Sequence, residues 1–314
     1  MSSSKFNKSK PKKKETISFI LNDNGKENNA INNNNKKENK NKDNKQKTSN
    51  EEEIIFMNQE EKEGYCVNKY DNGDSYFGYY AKDYKNYHGF YFYNPINIYD
   101  YNLVRCYLGF WRNDLRHGYG IYLWAKETKG QKFYENFDKS NFKAFIGNFD
   151  WDNLNKGTYL SKENDDYFVY HGTFSENNKK DGNDCFYFSS NLEELLYGTF
   201  KNNEFIEGYI GKFNDDGEIE DLLKYKNDNA ENLENNKEYE NIKNIMANFR
   251  NCIMSEDYFG IVFEVFSRGL KFKEEYLFNM DIINTYKNED FLDICKSYKK
   301  ITIFHDIEKC IKLK

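Results

Sequence analysis

Residues 107–124 read YLGFWRNDLRHGYGIYLW, two runs of aromatic residues and glycines separated by the hexapeptide RNDLRH at 112–117. Tyr107, Gly109 and Trp111 are two residues apart, so a β-strand would place all three on one face of a sheet. The hexapeptide would then supply the turn of a hairpin. A glycine between two large aromatic residues weakens a strand unless another group approaches the backbone there, such as the ring of a neighbouring unit. The stretch therefore predicts a β-hairpin built for close packing.

The pattern of an aromatic residue, any residue, glycine, any residue and an aromatic residue recurs along the chain. Further copies lie at 76–80, 145–149 and 170–174, with looser copies at 196–200 (LYGTF) and 209–213 (YIGKF). The first five copies are each followed, about ten residues on, by a second glycine: Gly89, Gly118, Gly157, Gly182 and Gly208. The sixth copy ends early, at Gly217. Uneven spacing between copies predicts insertions at about 92–103 and 125–141 and a truncated last unit.

These segments resemble MORN repeats, whose usual form is Y-x-G-x-W, a short polar turn and then H/K-G-x-G. Residues 107–120 match nearly every position of that form, and the resemblance extends over 64–225. It implies a mainly β fold: a single-layer twisted sheet of about six degenerate, stacked hairpins. The residues expected to form the repeat core are Tyr76, Gly78, Tyr80, Gly89, Tyr107, Gly109, Trp111, Gly118, Gly120, Phe145, Gly147, Phe149, Tyr170, Gly172, Phe174, Gly198, Phe200, Gly211 and Phe213.

The N-terminal 60 residues have a different composition. Residues 1–50 contain 13 Lys and five acidic residues, which leaves 33 basic and 47 acidic residues in the rest of the chain. Long Asn and Lys tracts supply too little apolar surface to offset the entropy of ordering, so we expect residues 1–60 to be disordered. Such tracts resemble those of proteins from AT-rich protists such as apicomplexan parasites.

Residues 236–314 are predicted to be mostly helical. The apolar residues from Ile242 to Ile253 recur at helical spacing. The run SEDYFGIVFEVFSRGLKF at 255–272 is too densely apolar to distinguish a buried helix from a strand. Residues 282–298 and 304–311 again fit helices. We expect this segment to cap the stack of hairpins or to bind a partner, because the end of a repeat array exposes apolar surface.

The sequence contains no pattern that favours catalysis. Four scattered histidines offer no clear general base, and six cysteines without a CxxC pair predict free thiols and no metal site. Phosphate-binding glycine loops, G-x-S-x-G and HExxH are absent. Some MORN proteins carry a lipid-kinase or methyltransferase domain, but the residues after the repeats are too few for either. We therefore predict a protein that is not an enzyme and has no cofactor.

The leading hypothesis is a scaffold or adaptor that binds a helix or extended peptide of a protein partner. The resemblance implies cytoskeletal, cortical or axonemal settings and self-association, and we expect a cytoplasmic protein at the cytoskeleton or an inner membrane. The first alternative is a peripheral module that binds anionic phospholipid, with the Lys-rich tail as the contact. The second is a regulatory subunit that positions a phosphatase or kinase through the helical segment. Nucleic acid is disfavoured by the acidic balance after residue 50. The predicted partner contacts are Arg112, Asp114, Arg116 and His117.

Overall fold

The computed structural model describes residues 62–128, 130–132, 135, 141–214, 216–233, 236–255 and 258–276. The predicted disordered tail and the predicted helices at 282–298 and 304–311 lie outside these residues. No helix within the described ranges has the length and apolar character needed to span a bilayer.

The protein is mainly β: the described residues form one open antiparallel sheet of 14 strands, accompanied by two helices. The strands are β1 (Gly64–Lys69), β2 (Ser75–Ala81), β3 (Tyr84–Phe92), β4 (Ile96–Ile98), β5 (Tyr101–Arg112), β6 (Leu115–Thr128), β7 (Asn141–Asp150), β8 (Asn153–Glu163), β9 (Asp166–Thr173), β10 (Gly182–Ser189), β11 (Glu194–Lys201), β12 (Glu204–Phe213), β13 (Ile219–Lys226) and β14 (Asn229–Asn232). The helices are α1 (Lys237–Ser255) and α2 (Tyr258–Tyr276).

The order of strands in the sheet is the order along the chain, apart from β4, which pairs beside the main path with β5. The insertion predicted at 92–103 contains this extra strand. Five of the turns between adjacent strands close with two residues of positive φ, as in Asn113–Asp114 and Asn202–Asn203. Asn and Asp tolerate this left-handed region, and turns of this kind match the twist of the flanking strands. Local turn chemistry therefore produces the simple up-and-down order.

The two faces of the sheet are apolar in different ways. One face, here called the helical face, is mostly aliphatic and packs against α1 and α2; its buried strand residues include Val104, Leu108, Ile121, Ile146, Leu160 and Leu195. The other, the aromatic face, buries rings; they include Tyr76, Tyr107, Trp111, Phe145, Phe149, Tyr170 and Phe200. Because both faces are apolar, the strands do not show simple alternation of apolar and polar residues.

The helices lie across one face of the sheet. In α1, the Phe249 ring stacks on Phe186 of β10, with centroids 4.3 Å apart. In α2, Phe266 lies 6.1 Å from Phe90 of β3, and Gly269 packs directly against the same ring. The ambiguous run at 255–272 thus forms most of α2. The sequence suggests a cap at one end of the stack of hairpins, whereas the described helices cover the helical face. An aliphatic face this long requires burial along its length.

The sixth predicted repeat copy was placed wrongly. Its residues 209–213 belong to β12, which is the second strand of the preceding hairpin and pairs with β11. Gly211 therefore lies on the helical face against Met246, and Phe213 is buried on that same face. The last hairpin is β13–β14, at 219–232, and lacks the glycine pattern. Gly208 and Gly211 are three residues apart, an odd separation, so only one of them can share the face of Gly198.

Candidate functional site

A continuous row of glycines crosses the aromatic face. Its members, which we call the glycine row, pair side by side on seven successive strands: Gly78, Gly89, Gly109, Gly120, Gly147, Gly157 and Gly172. In β10, Cys185 replaces glycine; its Sγ lies against Gly172, and the residue pairs with Gly198. Gly120, and not Gly118, is the partner of Gly109. Gly118 has a φ of +88° beside a bulge in the ladder.

In the hairpins that begin with β2, β5, β7 and β9, the first aromatic residue covers the members of the glycine row. The Tyr107 ring lies over Gly109 and Gly120, and its hydroxyl donates a hydrogen bond of 2.9 Å to the Phe110 carbonyl. A Cβ on Gly109 would lie 2.5 Å from the Gly120 Cα. We expected a close approach of this kind, but the covering ring belongs to the same hairpin and not to a neighbour. Burial raises the pKa of the Tyr107 hydroxyl well above its usual value.

Edge-to-face contacts link successive hairpins in a ring ladder. The Tyr107 ring meets Trp111 of its own hairpin at 5.1 Å and 89°, and Phe149 of the next at 5.0 Å and 83°. The same two contacts recur for Tyr76, Phe145 and Tyr170. Each edge-to-face pair contributes about 0.5–1.5 kcal/mol beyond its buried area. The repeat core residues predicted from the sequence thus lie together on the aromatic face, except Gly118, Gly211 and Phe213.

Hydrogen bonds at the turns also join neighbouring hairpins, a feature that sequence reasoning missed. Asp152 accepts hydrogen bonds from the backbone N–H and the Nε of Arg116, both at 2.9 Å, and its own N–H donates to the Arg116 carbonyl. Asp114 binds Lys85 in the same way, with a backbone bond of 2.8 Å and an ion pair of 3.5 Å. The sequence signal for these hydrogen bonds is the Asn or Asp that ends each two-residue turn, as at Asp114, Asp152 and Asn203.

Three cations lie among the rings at equivalent places. The Lys85 Nζ is 5.2 Å from the Trp111 ring centroid, the Arg116 Cζ 5.0 Å from that of Tyr122, and the Lys180 Nζ 4.4 Å from that of Tyr187. Burial lowers the pKa of Lys180 to about 8. These basic residues lie within the sheet's own packing, so their charges are largely removed from solvent.

The predicted partner contacts separate into two pairs. Asp114 and Arg116 are partly exposed, and both hold neighbouring hairpins together through hydrogen bonds and ion pairs. Arg112 is exposed, and its guanidinium lies 5.6 Å from the Trp151 ring centroid. The His117 ring lies 4.7 Å from that same ring, and its Nδ1 is 3.5 Å from Asp150 Oδ1. Trp151, which the sequence analysis did not select, is 45% exposed and has a φ of +46°.

Beside the ring ladder, the aromatic face carries a second set of rings, of which all but the buried Tyr122 are only partly buried. This aromatic shelf consists of Tyr70, Tyr91, Tyr93, Tyr122 and Trp124. Adjacent ring centroids along it lie 4.1–5.8 Å apart. Both described helices lie on the opposite face, so neither covers the shelf. The shelf presents a broad apolar and π-rich surface beside the fully packed ring ladder.

Histidines and cysteines in the described part of the chain are used in packing. His171 is buried and hydrogen-bonds through Nδ1 to the Thr158 hydroxyl at 2.9 Å, and the His88 ring lies 3.8 Å from that of Phe110. Cys106, Cys185 and Cys252 are buried. Within the residues described, no three His, Cys, Asp or Glu side chains are grouped to bind a metal ion.

Comparison with protein families identifies one segment. Residues 107–129 match the family model of the MORN repeat, which confirms the resemblance at its clearest copy. No curated protein matches the chain. The matched segment contains Gly109 and Gly120 of the glycine row and Trp111 of the ring ladder, so the repeat coincides with the middle of the aromatic face.

Proposed function

We propose that the protein is a non-catalytic scaffold that binds protein partners across its aromatic face, and that the five hairpins β2–β3, β5–β6, β7–β8, β9–β10 and β11–β12 are all MORN-type units. The observation that supports this most directly is the difference between the two faces. The described helices pack on the aliphatic face, whereas the other face keeps a shelf in which four of the five rings are partly buried. Large, partly exposed aromatic side chains are the commonest anchors of protein interfaces.

The construction of the sheet suits this role. The ring ladder and the turn hydrogen bonds hold each hairpin against the next, so the shelf is fixed in place before a partner arrives. A preorganised surface loses less conformational entropy on binding than a flexible one. Rings arranged across successive strands can receive either the apolar side of a helix or an extended peptide. Cytoskeletal, cortical or axonemal sites in the cytoplasm are the settings we propose for such a scaffold.

The helices are a weaker candidate for partner binding. Their buried residues Met246, Phe249 and Phe266 contact the sheet. A phosphatase or kinase docked on those side chains would have to displace the intramolecular contacts first. This favours the aromatic face over α1 and α2 as the principal partner site.

The experiment is proximity labelling in the native cell, with mass spectrometry, of the wild type and of a Tyr93→Ser, Trp124→Ser double variant. We expect the variant to lose specific neighbours, because both rings belong to the shelf. Tyr99→Ser is the matched control, since Tyr99 is 90% exposed and lies outside the shelf. An unchanged set of neighbours in the double variant would contradict the proposal. Sedimentation with anionic liposomes, with and without residues 1–50, tests the membrane alternative.

A further inference from the structure

A basic patch lies on the aromatic face at the edge of the shelf. Arg105, Trp124 and Lys143 pair directly with one another across β5, β6 and β7 and so form one row. Lys126 lies two residues beyond Trp124 on the same face of β6 and is exposed. Adjacent strands are about 4.8 Å apart, so the two cations of the row stand roughly 10 Å from each other with the indole between them.

The charges of this patch are only partly compensated. The Arg105 guanidinium lies 4.9 Å from the Tyr93 ring centroid, and no described residue accepts a hydrogen bond from its buried Nε. Lys126 lies 5.3 Å from the Tyr101 ring centroid, and neither it nor Arg105 forms an ion pair with a described residue. Lys143 pairs with Glu163 at 3.6 Å. Three cations thus face one carboxylate.

We propose that this patch binds an acidic, extended segment of a protein partner, with two carboxylates on Arg105 and Lys143 and an apolar side chain between them on Trp124. The proposal rests on the proposed function and names the chemistry of the partner. A guanidinium held on a ring is well placed to donate to a carboxylate, and charge-assisted hydrogen bonds of this kind are among the strongest in proteins.

A short acidic peptide fits the surroundings better than a nucleic acid or a membrane. The chain after residue 50 has 14 more acidic than basic residues, and this repels long polyanions. Glu163 and Asp166 stand opposite each other where β8 and β9 meet, next to the patch. A short peptide can place its carboxylates on the cations without extending over Glu163 and Asp166, and the indole adds an apolar contact that a phosphate backbone would not use.

The test begins with a phage-displayed library of random 12-residue peptides selected on the full-length protein. The selected peptides should carry at least two acidic residues around an apolar one. Binding of a labelled selected peptide, measured by fluorescence polarisation, should weaken about tenfold or more in Arg105→Gln and by a smaller factor in Lys126→Gln. Lys201→Gln, an exposed lysine near a hairpin turn, is the control with the same charge change and should bind as the wild type does. Added salt should weaken binding further.

Several results would overturn the proposal. Selected peptides without an acidic excess would do so, as would equal affinity for the wild type and both patch variants. Binding of oligo-uridylate or phosphatidylserine vesicles that depends on Arg105, with no acidic peptide bound, would assign the patch to phosphate-bearing ligands instead. Lys126 is exposed, so its variant remains informative if Arg105→Gln fails to fold. In cells, neighbours lost with the shelf rings but kept in Arg105→Gln would refute the acidic partner alone, whereas neighbours kept in both variants would refute the scaffold function itself.

Discussion

At the scale of single residues, this fold depends on glycines, which have no Cβ atom. Each member of the glycine row leaves the space that a ring or a neighbouring backbone occupies, and a single Cβ would fill that space. Two other residues lower the stability of the fold where they stand. Lys180 is a cation buried among rings, and Trp151 is a bulky side chain in a backbone region that Asn occupies elsewhere in the sheet.

Gly109→Val should lower the free energy of unfolding by about 1–3 kcal/mol or more, because the new side chain meets both the Tyr107 ring and the Gly120 backbone. Thermal melting monitored by circular dichroism measures the effect. Gly130→Ala is the comparison: Gly130 has a φ of +85° but no atom within 4 Å of an added Cβ, so it reports backbone strain without crowding. A melting temperature unchanged by Gly109→Val would exclude close packing over the glycine row.

Lys180 should make stability depend on pH. Its pKa is about 8 in the folded protein and 10.5 ordinarily, so the unfolded chain binds more protons between these values and stability rises with pH through that window. The difference in unfolding free energy between the wild type and Lys180→Met should therefore change by about 1–2 kcal/mol from pH 7.5 to 9.5, in favour of the wild type at the higher pH.

Urea denaturation at the two pH values measures this difference, and other titrating groups cancel because the two proteins share them. Lys201→Met, at an exposed site, should show no such change. A constant difference between the wild type and Lys180→Met across the window would show that Lys180 keeps its ordinary pKa in the folded protein.

Trp151→Asn should raise the free energy of unfolding by about 0.5–1 kcal/mol. Asn relieves the cost of a left-handed Trp, and the lost contacts with Arg112 and His117 offset only part of the gain. Asn113→Trp, at the equivalent turn position between β5 and β6, is the reciprocal variant and should destabilise the protein. Calorimetry of both proteins checks the pair, and a shift of the same sign in both would contradict this account.

At the scale of elements, the sheet and the helices stabilise each other through the helical face. Phe249→Ala removes a fully buried ring from the contact with β10 and should cost about 3–5 kcal/mol. Hydrogen exchange should show the loss of protection first in α1, β10 and β11. Asn251→Ala, an exposed substitution on the same helix, serves as the control. Equal stability of the two variants would show that α1 does not bury the helical face in solution.

At the scale of the whole molecule, the sequence predicted the features that depend on residues close together along the chain. The glycines and rings of the first strands recur within five residues, so their common face and the sheet itself could be inferred. The register of β12 could not be inferred, because either Gly208 or Gly211 could have continued the glycine pattern. Only the pairing of Gly208 with Gly198 in the structure distinguishes them. The position of the helices, the bonds from Asp114 and Asp152, and the row of Arg105, Trp124 and Lys143 all depend on partners more than 15 residues away along the chain.

The agreement of strand order with chain order has a consequence for synthesis on the ribosome. Each hairpin can join the growing sheet as soon as it emerges, because its neighbour is already complete and loop closure is short. The helices come last, from Lys237 onward, so the aliphatic face of the sheet stays bare until most of the chain has been made. A nascent chain of this kind exposes a wide apolar surface for several seconds at ordinary translation rates, which makes it a natural client for chaperones.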